Sequence, residues 1–139
     1  YILLNQAGSG WNPVNSTDYF PNRKVILVVR DPRDQYCELK KHKNTRSVSE
    51  YIGWYKEMML RIKSVDSDFI KIVQFEEFVE RYSVVSDEVC DFLNIEKGLY
   101  SNYDPEASSK NIGIYKEFLD KDELRLIERH LKEYLYNKF

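Results

Sequence analysis

The sequence predicts an α/β fold, a three-layer parallel sheet with flanking helices. Three observations predict it. Residues 25 to 29, VILVV, form an unbroken run of β-branched residues and leucine, the mark of a strand buried on both faces. Residues 69 to 75, FIKIVQF, read as a second strong strand. The stretches between and after these runs have helical periodicity, and strands alternating with helices argue for a parallel sheet covered by helices.

Taken in order, residues 1 to 4 are a short β-prone run that begins as if inside a strand, so the sequence reads as a piece of a longer protein. Residues 5 to 22 are loop chemistry, punctuated by Gly, Pro, Asn and Ser. After the strand at 25 to 29, a helix is expected from Asp34 to about Lys43, just past Pro32. Ser47 or Ser49 can cap a second helix with Tyr51, Trp54, Tyr55, Met58, Met59 and Ile62 on one face, a stripe that reads as core. The strand at 69 to 75 follows. Val85, Val89, Phe92 and Leu93 mark a third helix, entered at Ser83 or Ser86. Residues 98 to 113 read as loop, holding Gly98, Asn102, Pro105, Ser108, Ser109 and Gly113. The last helix has Asp120 as N-cap with Glu123 three residues on. Leu124, Ile127, Leu131, Tyr134 and Leu135 are its buried stripe, and Glu128 and Lys132 an i,i+4 pair. The two strands are expected to be parallel, adjacent or nearly so, and fully buried. All 139 residues are assigned to one domain.

Bulk composition excludes some functions. With 21 basic against 23 acidic residues, the net charge is −2, which gives no broad surface for nucleic acid or membrane. No apolar run is long enough to span a bilayer, and no signal peptide is visible. Cys37 and Cys90 have neither metal-ligand nor disulfide-framework spacing, so free thiols, a cytoplasmic setting and no metal are expected.

The chemistry concentrates in VILVVRDPRDQY, residues 25 to 36. Arg30 falls at the carboxyl end of its strand, where ligands bind in open α/β sheets. A helix N-terminus follows within a few residues, and arginine beside free helix amides suits a phosphate. Structural pairing is the plainer alternative: Arg30 or Arg33 with Asp31 or Asp34, or with Glu76 or Glu77. Asp34 reads as an N-cap and Asp31 as a partner for Arg33 or the turn. The donor-rich segment with Ser109, Lys110 and Asn111 is expected to close on the same spot. Of the two histidines, His42 reads as part of a solvated basic face and His130 as a helix-end residue. Trp11, in its Gly- and Pro-bearing loop, could flank an acceptor pocket. Lys40, Lys41, Lys43 and Arg46 suit either a solvated helix end or an anionic saccharide.

KVILVVRDPRDQY resembles the strand–turn–helix of the sulfotransferases that use 3'-phosphoadenosine 5'-phosphosulfate. GWYKEMMLRI, residues 53 to 62, is similar to that family's mid-chain Trp-bearing helix. IVQFEEFVER with VCDFLNI resembles its strand, turn and Phe-Leu-Gly helix end, and SSKNIGIYKEFL, residues 108 to 119, its late Gly-x-x-Gly-Asp-Trp-Lys loop. LLNQAGSGWNP is similar to the segment before the Arg strand in some bacterial members. The resemblance covers nearly the whole chain. It implies the P-loop-NTPase-like sulfotransferase fold, of which this chain is the C-terminal portion. It also implies sulfuryl transfer to an acceptor hydroxyl or amine on a small molecule or saccharide. Arg30 would then hold the donor's 3'-phosphate, and Ser109, Lys110, Asn111 and Gly113 would form the closing loop.

The departures are specific. The family's Lys-Ser-Gly-Thr-Thr loop is absent, so the chain alone is expected to be inactive. Glu38 stands where the family has a serine, and Phe75 where it often has a tyrosine. Gly113-Ile114-Tyr115-Lys116 replaces Gly-Asp-Trp-Lys, and no general base is evident. Two alternatives remain open: a binding or oligomerisation module derived from the fold, and a nucleotide kinase of related topology.

Overall fold

A computed structural model describes residues 20–41, 46–64, 68–98 and 101–136. The expectations for residues 1 to 19, Trp11 among them, and for His42 and Lys43 lie outside these. β1 (Val25–Val29) and β2 (Ile70–Gln74) pair in parallel, in register from Val25 opposite Ile70 to Val29 opposite Gln74. The crossover between them is α1 (Pro32–Lys41) and α2 (Val48–Lys63). Then come α3 (Phe75–Glu80), α4 (Tyr82–Leu93), α5 (Pro105–Ser109), α6 (Tyr115–Phe118), α7 (Lys121–His130) and a 3-10 turn at Lys132–Tyr134. The described chain is thus mixed α/β, mostly helical, with a two-stranded parallel sheet. None of the described helices is long and apolar enough to cross a membrane.

The core explains why these elements hold. Ser47 and Glu50 form a capping box at the start of α2, satisfying amides that the helix cannot bond itself. The helix then turns Tyr51, Ile52, Tyr55, Met59 and Ile62 inward against Val25, Leu27 and Val29 of β1 and Ile127 of α7. Tyr51 is the hub: its ring centroid lies 4.9 Å from Tyr36 and 5.8 Å from Tyr55, within the range of favourable ring pairs. Asp120 and Glu123 make a second capping box that starts α7 where the sequence placed it. Leu131, just past that helix, is fully buried.

Several expectations need correction. Neither strand is fully buried: Ile26 and Val28 of β1 are 37% and 63% exposed while their neighbours are buried, and Ile72 of β2 is 49% exposed. Here α4 stands against β2, where Lys71 meets Glu88 at 3.3 Å, and its end reaches only the start of β1, where Lys24 donates to the Phe92 carbonyl. Among the described residues, the middle of β1 has no cover on that side. The helix after Arg30 begins at Pro32, not Asp34, because Asp31 Oδ1 accepts from the Arg33 amide at 2.8 Å and Pro32 needs no partner for its nitrogen. No serine enters α4. It starts at Tyr82 after a backbone break at Arg81, and the separate α3 follows β2 without a loop. The loop at 98 to 113 contains α5, started by Asp104, whose side chain accepts from the Ala107 amide, with Pro105 in the first helical position. Glu128 pairs with Arg33 at 3.2 Å rather than with Lys132.

Candidate functional site

The carboxyl end of β1 carries a buried cluster of charge. Asp31, Arg33, Asp34 and Glu76 are all less than 8% exposed. Asp31 is its centre. Its Oδ1 accepts from Arg33 Nε at 3.0 Å, and its Oδ2 accepts from Arg33 Nη2 at 2.6 Å and from the Tyr136 amide at 3.0 Å. Arg33 also donates to Glu128 and to the Tyr136 carbonyl, and its guanidinium lies 4.2 Å from the Tyr115 ring centroid. Burial acts to lower the Arg33 pKa, but the hydrogen bonds and charge of Asp31, with help from Glu128, outweigh it and raise the pKa. The plainer reading of this arginine holds: it is structural.

Glu76 Oε1 accepts from the Asp31 amide at 2.9 Å, and Gln74 donates to its other oxygen. Two of the amides at this helix start, those of Asp31 and Arg33, are therefore already bonded to carboxylates. Asp34 does not cap α1. Its Oδ2 accepts from the Gly113 amide at 2.7 Å and its Oδ1 from the Tyr115 amide at 3.0 Å, so the 113-to-115 turn is tied to α1. Gly113 has φ +80°, a conformation that a side chain strains. A cavity of about 240 Å³ opens here, lined by Asp31, Arg33, Asp34, Glu76, Gly113 and Tyr136 among others.

Arg30 is placed differently from Arg33. Tyr55 of α2 donates to the Arg30 carbonyl at 3.1 Å, and Tyr51 to that of Pro32 at 2.9 Å, so α2 fixes the turn from behind. The Arg30 guanidinium lies 5.0 Å from the Phe75 ring centroid, and its Nη2 donates to the Asn111 carbonyl. Its Nε is buried without an acceptor, and it forms no ion pair among the described residues. Glu38 lies 3.9 Å from Lys41. The structure thus brings Arg30 and the 109-to-111 segment together. The loop contributes unevenly. Lys110 is exposed and its ammonium has no partner among the described residues. Ser109 donates back to the Glu106 carbonyl at 2.8 Å, and the Gly113 amide is taken by Asp34. Asp34 was missed as the tie to this loop, since its partners lie 79 and 81 residues away.

Other candidates fall away. Cys37 is fully buried and burial pushes its thiol up to about 11, so it is inert. His130 is exposed at the end of α7. Lys40 is held by Glu123 at 2.7 Å, and Lys41 lies over Phe118, which makes them parts of a helix end. No group of described residues could hold a metal ion. Compared with protein families, curated proteins and solved structures, the chain matches none.

Burial raises the Glu76 pKa, and the bonds from Asp31 and Gln74 only partly oppose that. A carboxyl with a raised folded-state pKa adds stability fully at pH below its unfolded value, about 4.3, and loses it as pH rises through the folded value. Glu76→Gln keeps an acceptor for the Asp31 amide and removes the charge. The melting temperature of the variant relative to the parent should therefore rise between about pH 4 and pH 8. A difference that falls with pH would show that Glu76 is stabilised as a carboxylate, and a flat one that folding leaves its pKa unshifted.

Proposed function

We propose that this chain supplies the 3'-phosphate-binding half of an enzyme that moves a sulfuryl group from 3'-phosphoadenosine 5'-phosphosulfate to an acceptor hydroxyl or amine. The observation that carries the reading is Arg30. It stands at the carboxyl end of a parallel strand, has no carboxylate partner among the described residues, and holds one buried N–H without an acceptor. A buried guanidinium N–H short of an acceptor is an unsatisfied donor, and a phosphate oxygen would satisfy it. Lys110, next to Asn111 in sequence, adds an exposed cation with no partner among the described residues. The motif resemblance selects this donor among phosphate ligands and implies the larger three-layer sulfotransferase fold around the two described strands.

The donor supplies a labile sulfur–oxygen bond to its 5'-phosphate. In the transfer, the acceptor oxygen or nitrogen bonds to sulfur, the bond to the phosphate breaks, and adenosine 3',5'-bisphosphate leaves. The role of Arg30 and Lys110 is remote from that bond: they fix the nucleotide so that binding energy orients the reacting end. The Phe75 ring lies against the Arg30 guanidinium, its centroid 5.0 Å away.

A non-catalytic binding module remains the second reading. It is favoured by the carboxylates of Glu76 and Asp31 on two amides at the start of α1, since these leave Arg30 and Lys110 to act without those two donors. Titration calorimetry on the full-length protein tests the proposal. Adenosine 3',5'-bisphosphate should bind at least about tenfold more tightly than ADP, one charged hydrogen bond's worth. Equal affinity, or a preference for ADP, would discard the 3'-phosphate reading and favour a kinase. Preference for the bisphosphate with no sulfuryl transfer to any hydroxyl or amine acceptor would favour the module.

A further inference from the structure

Asp34 is almost wholly buried, yet its carboxylate pairs with no cation within ion-pair distance among the described residues. It spends both oxygens on two backbone amides of a distant loop, Gly113 at 2.7 Å and Tyr115 at 3.0 Å. Two residues before Gly113 is Asn111, whose carbonyl accepts from Arg30. One residue further back is Lys110. The segment that meets the ligand-side arginine is therefore rooted on α1, by a residue four positions after that arginine. Gly113 supplies the left-handed turn, φ +80°, that aims its amide at Asp34.

We propose that Asp34 is a positioning residue for the phosphate site, clamping the root of the 110-to-115 loop so that Lys110 and the Asn111 backbone stand at Arg30. The inference rests on the 3'-phosphate reading above. It adds a residue that touches no ligand and determines specificity through the loop. The Asn111 carbonyl would hold Arg30 in place and yield to a phosphate oxygen, while the root at Gly113 and Tyr115 stays fixed.

Charge and clamp make opposite predictions, which makes the test decisive. A carboxylate near Arg30 repels an incoming phosphate. If charge were all that Asp34 contributed, Asp34→Asn would tighten binding of a 3'-phosphate. If Asp34 clamps the loop, the same change weakens it, because an amide side chain has one acceptor oxygen where the carboxylate had two.

The experiment measures adenosine 3',5'-bisphosphate and AMP binding to the full-length parent and its Asp34→Asn variant by calorimetry, and follows exchange of the Gly113 and Tyr115 amide hydrogens. The expected result is a loss of about tenfold in bisphosphate affinity with AMP affinity unchanged, one charged hydrogen bond being the scale. Exchange at the two amides should quicken in the variant. In the parent, exchange there should slow when the bisphosphate is added and not when AMP is added, a measurement that does not need the variant to fold. A variant that keeps the parental preference, or binds the bisphosphate more tightly, overturns the clamp and leaves the 3'-phosphate reading standing. So does exchange in the parent that the bisphosphate leaves unchanged. A parent with no preference for the bisphosphate over AMP overturns that reading, and the inference with it.

Discussion

Asp31→Ala should destabilise the protein by about 3–5 kcal/mol, the range for breaking a buried ion pair by removing one partner. Asp31 is 2% exposed and Arg33 is 7% exposed. The carboxylate receives four bonds: the Arg33 amide, Arg33 Nε, Arg33 Nη2 and the Tyr136 amide. Alanine would leave the guanidinium with Glu128, itself 44% exposed, and one backbone carbonyl. It would also remove the cap at the start of α1, a loss of about 1 kcal/mol by itself. Asp31→Asn should cost less, since its oxygen can still accept from the Arg33 amide. Chemical denaturation, comparing midpoints at unchanged slope, reads the effect. A loss for alanine of less than about 1 kcal/mol would mean that water reaches the pair and screens it as at a surface.

Arg30→Ala should have the largest effect on binding. A hydrogen bond to a charged group contributes about 1.5–3 kcal/mol, so affinity for adenosine 3',5'-bisphosphate should fall roughly 10- to 150-fold. Stability should change far less than for Asp31, because no buried carboxylate is left unpaired. Among the described residues, the guanidinium's contacts are a ring face and one backbone carbonyl. AMP, which lacks the 3'-phosphate, serves as the control and should bind the two proteins equally. An Arg30→Ala protein that still prefers the bisphosphate as the parent does would move the phosphate away from this arginine.

These two arginines show what the sequence could and could not reveal. Both lie in one short motif, and periodicity correctly placed the strand before them at residues 25 to 29. The capping box at Asp120 was readable because it is closed within four residues, while the local pattern left the cap of α2 open between Ser47 and Ser49. Asp104 and Pro105 carried the same kind of local signal for α5, and it was passed over as loop. The division of labour between Arg30 and Arg33 was not readable. It depends on Glu128 and Tyr136 coming to Arg33 and on Asn111 coming to Arg30, and no local rule brings residues together over such separations. Asp34 was misassigned for the same reason. In isolation a helix-start aspartate looks like a cap, and only the fold brings Gly113 and Tyr115 to it. The exposed side of β1 shows a different limit. Val28 is as β-prone as Val29, and the pattern of apolar residues says that a strand forms but not which of its faces is covered.

The ties of Arg33 to Glu128 and of Asp31 to Tyr136 reach across 95 and 105 residues. Contacts of such long range close nearly the whole described chain, and that closure is costly before other contacts reward it, so they are expected to form late. An interaction that is absent at the folding barrier does not speed folding. It raises the barrier to leaving the folded state. The charged end of β1 would then govern how long the folded protein lasts.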